Sequence, residues 1–308
     1  MRLDLGVHVE RPGHGADDTP KSARAELAGA LRLDAPCDSP YPRRIWRTTG
    51  ANMSDNWAEG RIALVTGATS GFGEAMARRL LAAGAHVIAT GRRAERLAAL
   101  TSELKSERLL TCELDVTSSA SIAALLPSLP PAFTDIDILY NNAGLALGLS
   151  KAHEADISDW ETMIDTNVTG LVRMTRAVLP GMVARDRGDV MNLSSVAASY
   201  PYPGGNTYGA TKAFVRQFSL NLRADLLGTK VRVTSIEPGM ADTEFSVVRF
   251  KGDQAAADKV YAGVHAMSAD DVALVCESVL KLPAHINVNT LEIMPVQQAF
   301  GPFAVDRG

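Results

Sequence analysis

From Arg61 onward, short apolar runs alternate with stretches whose apolar residues recur every three or four positions. The runs IALVT (Ile62–Thr66), HVIAT (His86–Thr90), LLTCELDV (Leu109–Val116), DILYN (Asp137–Asn141), DVMNLSS (Asp189–Ser195), VRVTSIEP (Val231–Pro238) and NTLEIMPV (Asn289–Val296) read as strands. Most are apolar almost from end to end, as strands covered on both faces must be. Between them, EAMARRLLAAG and AERLAALTSEL carry the helical period. Strict alternation of the two patterns predicts an α/β chain: a single-domain, Rossmann-like, doubly wound parallel sheet with helices on both faces. The chain has no internal repeat of solenoid length.

Residues 1–52 break this pattern. ERPGHGADDTP and APCDSPYPRR hold Pro, Gly, Asp and Arg in no period, and only SARAELAGALRL (Ser22–Leu33) looks helical. The segment reads as a disordered extension ahead of a domain spanning residues 53–308. It lacks the apolar core of a secretory signal, and its acids nearly balance its bases, which argues against a transit peptide. Met53 serves as well as Met1 as a natural start.

Composition removes several function classes. The net charge of -4 and the absence of Lys/Arg runs point away from nucleic acid and anionic membranes. No apolar stretch reaches the roughly 18 residues of a membrane span. The three cysteines, Cys37, Cys112 and Cys276, are far apart and lack ligand spacing, so no disulfide framework and no metal site are expected. Cys112 and Cys276 fall in apolar patterns and read as buried small hydrophobes. A reducing, cytoplasmic compartment fits.

The first strand runs directly into TGATSGFGEAMARRL. Gly67, Gly71 and Gly73 sit in the strand-to-helix turn with Ala68, Thr69, Ser70 and Phe72, where glycines let the backbone approach a pyrophosphate at a helix N-terminus. The second strand ends in Arg92 and Arg93 instead of the carboxylate that would accept from a ribose 2′-hydroxyl. Guanidinium groups there favour a 2′-phosphate, hence NADP(H) over NAD; the alternative is two surface arginines at a helix start. Asp115 and Val116 end the third strand, Asn142 lies in NNAG after the fourth, and Pro238, Gly239 and Thr243 follow the sixth. All lie at carboxyl ends of strands, where open α/β sheets bind ligands.

Tyr208 and Lys212 are four residues apart at a predicted helix start, and Ser195 lies thirteen residues before Tyr208. Alcohol oxidation requires a base for the hydroxyl proton. A nearby ammonium favours the phenolate, so Lys212 and the positive charge of the nicotinamide are together expected to lower the pKa of Tyr208, with Ser195 holding the substrate oxygen. Asn167 in DTNVTG is a candidate for holding a proton-relay water, or else an ordinary helix polar residue. His153 and His265 lack partners at ligand spacing and read as surface residues, and Trp160 reads as packing.

These segments together resemble the short-chain dehydrogenase/reductase family over residues 61–300, with the glycine motif, NNAG, the Asn/Ser/Tyr/Lys tetrad and the PG turn all present. NNAGLALG, DWETMIDTN, MTRAVLPGMV, GGNTYGATKAFVRQFSLNLR, VRFKGD and LPAHINVNTLE resemble in particular the NADP-dependent 3-hydroxy acid dehydrogenases. That resemblance implies oxidation of serine, L-allo-threonine and related 3-hydroxy acids, reduction of malonic semialdehyde, and a homotetramer. MADTEF, after the PG turn, is one residue shorter than the resembled pattern. The segment Met240–Lys259 corresponds to a substrate lid. Within it Arg249, with Lys251 second, is a candidate anchor for the substrate carboxylate beside Ser195 and Tyr208. A solvated or interface charge, or backbone donors of Tyr200–Asn206, remain alternatives. A broad carbonyl reductase, a sugar-alcohol dehydrogenase and a non-catalytic NADPH sensor are the competing functions.

Overall fold

A computed structural model describes residues 56–301. The readings on residues 1–52, including the helix Ser22–Leu33, the start at Met53 and Cys37, lie outside the described residues.

Seven strands form one sheet in the order β3-β2-β1-β4-β5-β6-β7, and every neighbouring pair is parallel. They are β1 Ile62–Thr66, β2 His86–Gly91, β3 Leu109–Glu113, β4 Ile136–Asn141, β5 Gly188–Leu193, β6 Val231–Pro238 and β7 Thr290–Ile293. The helices are α1 Gly71–Ala82, α2 Ala94–Leu104, α3 Ser119–Ser128, α4 Ile157–Ile164, α5 Leu171–Ala184, α6 Asn206–Asp225, α7 Phe245–Arg249, α8 Gln254–Tyr261 and α9 Ala269–Leu280.

The expected doubly wound architecture is therefore observed. Met76, Leu80, Leu100, Val272 and Cys276 of α1, α2 and α9 pack one face of the sheet. Ile122, Leu125, Met174, Val178 and Leu222 of α3, α5 and α6 pack the other. Every residue of β4 and β5 is buried, the apolar ones against the helices and the polar Asp137, Asn141, Asp189 and Asn192 among hydrogen-bond and ion-pair partners. The chain reverses winding direction between β1 and β4, the switch point at which such sheets bind ligands.

Three strand ends differ from the sequence reading, each for a local reason. β3 stops at Glu113 because Asp115 turns its Oδ1 onto the N–H of Thr117 at 2.9 Å. β5 stops at Leu193 because the Ser195 hydroxyl caps a short 3-10 turn, Val196–Ala198, by accepting from the Ala197 N–H. β7 is confined to Thr290–Ile293, two residues short of Pro295, which has no N–H to give a ladder. The apolar pattern continues past the last ladder bond in β3 (Leu114, Val116) and β7 (Met294, Val296), which is why those two readings overran. Cys276 is fully buried as expected, but Cys112 is only half-buried, because β3 is the sheet edge.

Candidate active site

Carboxyl ends of the central strands open into two adjoining cavities. The first, about 330 Å³, is lined by the glycine-rich turn, Arg92, Arg93, Asp115, Val116, Asn142, Lys212 and Thr243. The second, about 390 Å³, is lined by Ser195, Tyr202, Pro238, Gly239, Arg249 and Tyr261. Phe72, Ser194, Tyr208, Thr243 and Phe245 belong to both walls, so Tyr208 stands at the junction.

The first cavity is shaped by backbone. The Thr66 hydroxyl accepts from the N–H groups of Asn142 and Ala143, both at 3.0 Å. The Asn142 amide donates to the carbonyls of Thr66 and Gly67 at 3.0 and 3.1 Å, locking NNAG against the glycine turn. At Gly73 a Cβ would sit 2.3 Å from the Gly67 carbonyl oxygen, so the helix enters closer to the turn than any side chain permits. The floor of the turn is thus kept clear for a pyrophosphate, with the α1 N-terminus behind it. Ala68 and Gly73 are buried within the turn and shape it without lining either cavity.

At the adenosine end the two arginines differ. Arg93 precedes α2, and its guanidinium folds back onto the turn. Its Nε and Nη2 donate to Thr69 Oγ1 at 3.1 and 2.9 Å, and Nη2 donates to Ser70 Oγ at 2.7 Å. Its Nη1 pairs with Glu244 at 2.9 Å, and Arg96 holds the other oxygen of Glu244 at 3.0 Å. Arg92 is exposed at the cavity mouth. Burial opposes the charge of Asp115, but the Thr117 N–H and hydroxyl, with Arg92, still hold its carboxyl below the ordinary range. The lid carboxylate on Arg93 was not legible in the sequence, because Glu244 lies 151 residues away.

At the junction, α6 places Tyr208 and Lys212 on one face, both buried. Lys212 Nζ lies 5.8 Å from the Tyr208 ring centroid and donates to the Leu193 carbonyl at 2.7 Å. Burial lowers the Lys212 pKa to about 8 and raises that of Tyr208 to about 12. Among the chain's own groups desolvation therefore dominates at Tyr208, and the Ser195 hydroxyl and the Arg249 charge oppose it.

Asn167 occupies a π-helical turn, Asp165–Gly170, between α4 and α5. Its Oδ1 accepts from the Leu145 N–H, and its Nδ2 donates to the Leu145 carbonyl, each at 2.8 Å, and to Thr211 Oγ1 at 3.1 Å. Both amide protons are committed, so the side chain fixes the NNAG loop. A Cβ on Gly144 would lie 3.0 Å from Asn167 Oδ1 and 3.4 Å from Lys212 Nζ, which shows how tightly the three converge. Nothing in DTNVTG signals a π turn, although such turns gather at functional sites.

The lid, α7 and α8, closes the second cavity. Phe245 packs on Tyr208 with ring centroids 5.6 Å apart. The Arg249 guanidinium lies 5.3 Å from the Tyr208 centroid and 5.4 Å from that of Tyr202, and Nη2 donates to the Tyr202 hydroxyl. Lys251, the second candidate anchor, turns away to Asp159 at 2.9 Å and lines neither cavity. Pro238 and Gly239 line the second cavity and not the first; there the Gly239 N–H donates to the Ile293 carbonyl and the Met240 N–H to Gln298 Oε1. His153 and His265 are exposed, and Trp160 packs beside Met163 and Tyr208, as read from the sequence.

The short chain dehydrogenase family profile matches residues 61–254. An NADP-dependent 3-hydroxy acid dehydrogenase of Salmonella typhi is 60% identical over 247 residues, covering 80% of this chain and 99% of that protein. A serine 3-dehydrogenase of Rhizobium radiobacter is 55% identical over 244 residues, covering 79% of this chain and 97% of its own. Among solved structures, the closed form of serine dehydrogenase complexed with NADP+ matches with a TM-score of 0.79 at 58% identity, over 80% of this chain and 100% of that one.

Proposed function

The chain belongs to the short-chain dehydrogenase family, and from that premise we propose that it interconverts 3-hydroxy acids of the serine, L-allo-threonine and 3-hydroxypropionate type with their 3-oxo forms, using NADP(H). The observation that carries this reading is the placement of Tyr208 where the two cavities meet, with Ser195 on the substrate side, Lys212 on the cofactor side and a guanidinium above. The relatives named above bear the same activity in their names.

NADP+, when bound, supplies the acceptor for the hydride leaving the carbinol carbon. The glycine turn and α1 N-terminus would hold its pyrophosphate, Arg92 and Arg93 would hold its 2′-phosphate, and Asn142 would shape the wall beside its ribose. Ser195 holds the substrate oxygen. Tyr208 takes the hydroxyl proton as the carbonyl forms. Lys212, with two N–H bonds still free beyond the one to Leu193, faces the cofactor cavity and holds a positive charge near the phenol. Asn167 keeps the NNAG loop in place and leaves lone-pair capacity for a relay water. Arg249 anchors the substrate carboxylate, which a closed cavity cannot leave unpaired.

We also propose a cytoplasmic homotetramer. The outward apolar residues Ile164, Val183 and Phe214 of α4, α5 and α6 support assembly through that face, and the two free thiols, Cys112 and Cys276, suit a reducing compartment. No helix among the described residues is long and apolar enough to cross a membrane.

The test is NADP+ reduction across a panel of 3-hydroxy acids, uncharged alcohols and sugar alcohols. A preference for 3-hydroxy acids is expected. Equal use of uncharged alcohols would favour a broad carbonyl reductase, and no turnover of any substrate would favour a sensor.

A further inference from the structure

We propose that Arg249 sets the acidity of the general base: closing the lid lays a cation on Tyr208 and makes it a stronger acid, so that base activation and cavity closure are one event. This deepens the reading above and rests on Tyr208 being the base.

Tyr208 is buried, and burial disfavours its phenolate. Four groups from different elements stand around it. Ser195, just past β5, offers a hydroxyl. Tyr202, from the loop before α6, opposes ionisation of Tyr208. Lys212, one turn along α6, spends one N–H on the Leu193 carbonyl, 5.8 Å from the ring, and burial weakens its hold on its own proton. Arg249, at the end of α7, is the fourth.

Arg249 differs from Lys212 in two physical respects. A guanidinium keeps its charge at any pH at which the fold survives, whereas a buried ammonium does not. Arg249 is also held from several sides. Its backbone carbonyl accepts from the Gly148 N–H at 3.0 Å, and its guanidinium donates to the Tyr202 hydroxyl. Tyr202 itself reaches in from a loop where a Cβ on Gly205 would come within 2.8 Å of its ring. The guanidinium therefore sits between two tyrosine rings, at 5.3 and 5.4 Å. The contacts of Arg249 with Gly148, Tyr202 and Tyr208 all join the lid to the rest of the cleft.

The guanidinium lies over the Tyr208 ring, 5.3 Å from its centroid, and a cation this near the phenol favours its charged form by about 1 pKa unit. The inference separates two roles of one residue. As carboxylate anchor, Arg249 acts on charged substrates only. As tuner of Tyr208, it acts on every substrate.

The experiment measures kcat/KM against pH for the full chain with NADP+ and an uncharged alcohol, in wild type, Arg249→Gln and Arg249→Lys. Phenolate absorbance is titrated in the same proteins, each referenced to its own Tyr208→Phe partner. The expected result is a rising limb displaced by about 1 pH unit to higher pH in Arg249→Gln, largely restored in Arg249→Lys. The Tyr208 phenol should move by the same amount. An unmoved phenol in Arg249→Gln overturns the proposal, whatever the loss in rate, and leaves Arg249 as anchor or lid strut alone. Equal loss in the Lys and Gln variants with no change in phenol ionisation overturns it likewise. A displaced phenol with an unmoved rate profile overturns it through its premise, because Tyr208 would then not be the base.

Discussion

The glycine-rich turn and the lid wall the same cleft, but they are built from different materials. The turn is tied down by partly buried bonds between side chains and backbone: the Thr66 hydroxyl to the N–H groups of Asn142 and Ala143, and the Asn142 amide back to the carbonyls of Thr66 and Gly67. The lid is two short helices held by a few longer-range contacts. These are Gly148 to the Arg249 carbonyl, Tyr261 to the Ala241 carbonyl, Glu244 to Arg93 and Arg96, and Lys251 to Asp159. The ion pairs among them are half-exposed, and such pairs contribute about 0–1 kcal/mol each. One wall is bonded within itself, while the other is held by half-exposed ion pairs and a few hydrogen bonds. On the proposed reading, the first wall recognises the cofactor by preformed shape and the second recognises the substrate by closing.

The largest effect expected on this account lies at the hinge between the walls. Tyr208→Phe should lower turnover by about 10²–10⁴ while leaving the NADPH dissociation constant nearly unchanged; substantial activity at neutral pH would break the assignment. On the lid side, Arg249→Gln should raise KM for serine or 3-hydroxypropionate by about 10–100-fold, through loss of a charge-assisted bond, and leave KM for an uncharged alcohol in place. A parallel rise for both would mean that the lid fails to close. On the fixed side, replacing Arg92 and Arg93 together with Ala should weaken NADP+ by at least about tenfold more than NAD+. Titration calorimetry with both cofactors decides it, and equal losses would make the pair structural.

The smallest effect is on stability. The Lys212 pKa is about 8 in the fold and about 10.4 in an unfolded chain. Between those values the unfolded state binds more protons, so stability rises with pH from about 8 to about 10. Above about 10 the unfolded tyrosine ionises before the buried Tyr208, whose pKa lies at about 12, and stability falls again. Lys212→Met should flatten the rising part of a denaturant-midpoint profile. An unchanged slope would show that the ammonium is better solvated than its burial suggests.

The fixed wall was legible in the sequence because its chemistry is local. Gly67, Gly71 and Gly73 sit in one turn, Tyr208 and Lys212 in one helical step, and Ser195 at one strand end, so spacing alone brings them to the sheet's carboxyl edge. The lid was not. Arg249 meets Gly148, Tyr202 and Tyr208 across long loops, Glu244 meets Arg93 across the cleft, and Lys251 is taken by Asp159 of α4. Such pairings depend on how two short helices settle, and no periodicity encodes that. At Tyr208 too, a neighbouring ammonium can be read from spacing, but the depth of burial that raises the phenol's pKa cannot.

The central claim is that this cleft moves a hydride from a carbinol carbon to NADP+ with Tyr208 taking the proton. It is tested most directly by supplying 3-hydroxypropionate deuterated at its carbinol carbon, with NADP+, to the wild-type chain and to Tyr208→Phe. The account predicts that each molecule of reduced cofactor carries one deuterium from the substrate and that the Phe variant forms almost none. Reduced cofactor free of deuterium, or an equal yield from the Phe variant, would contradict it.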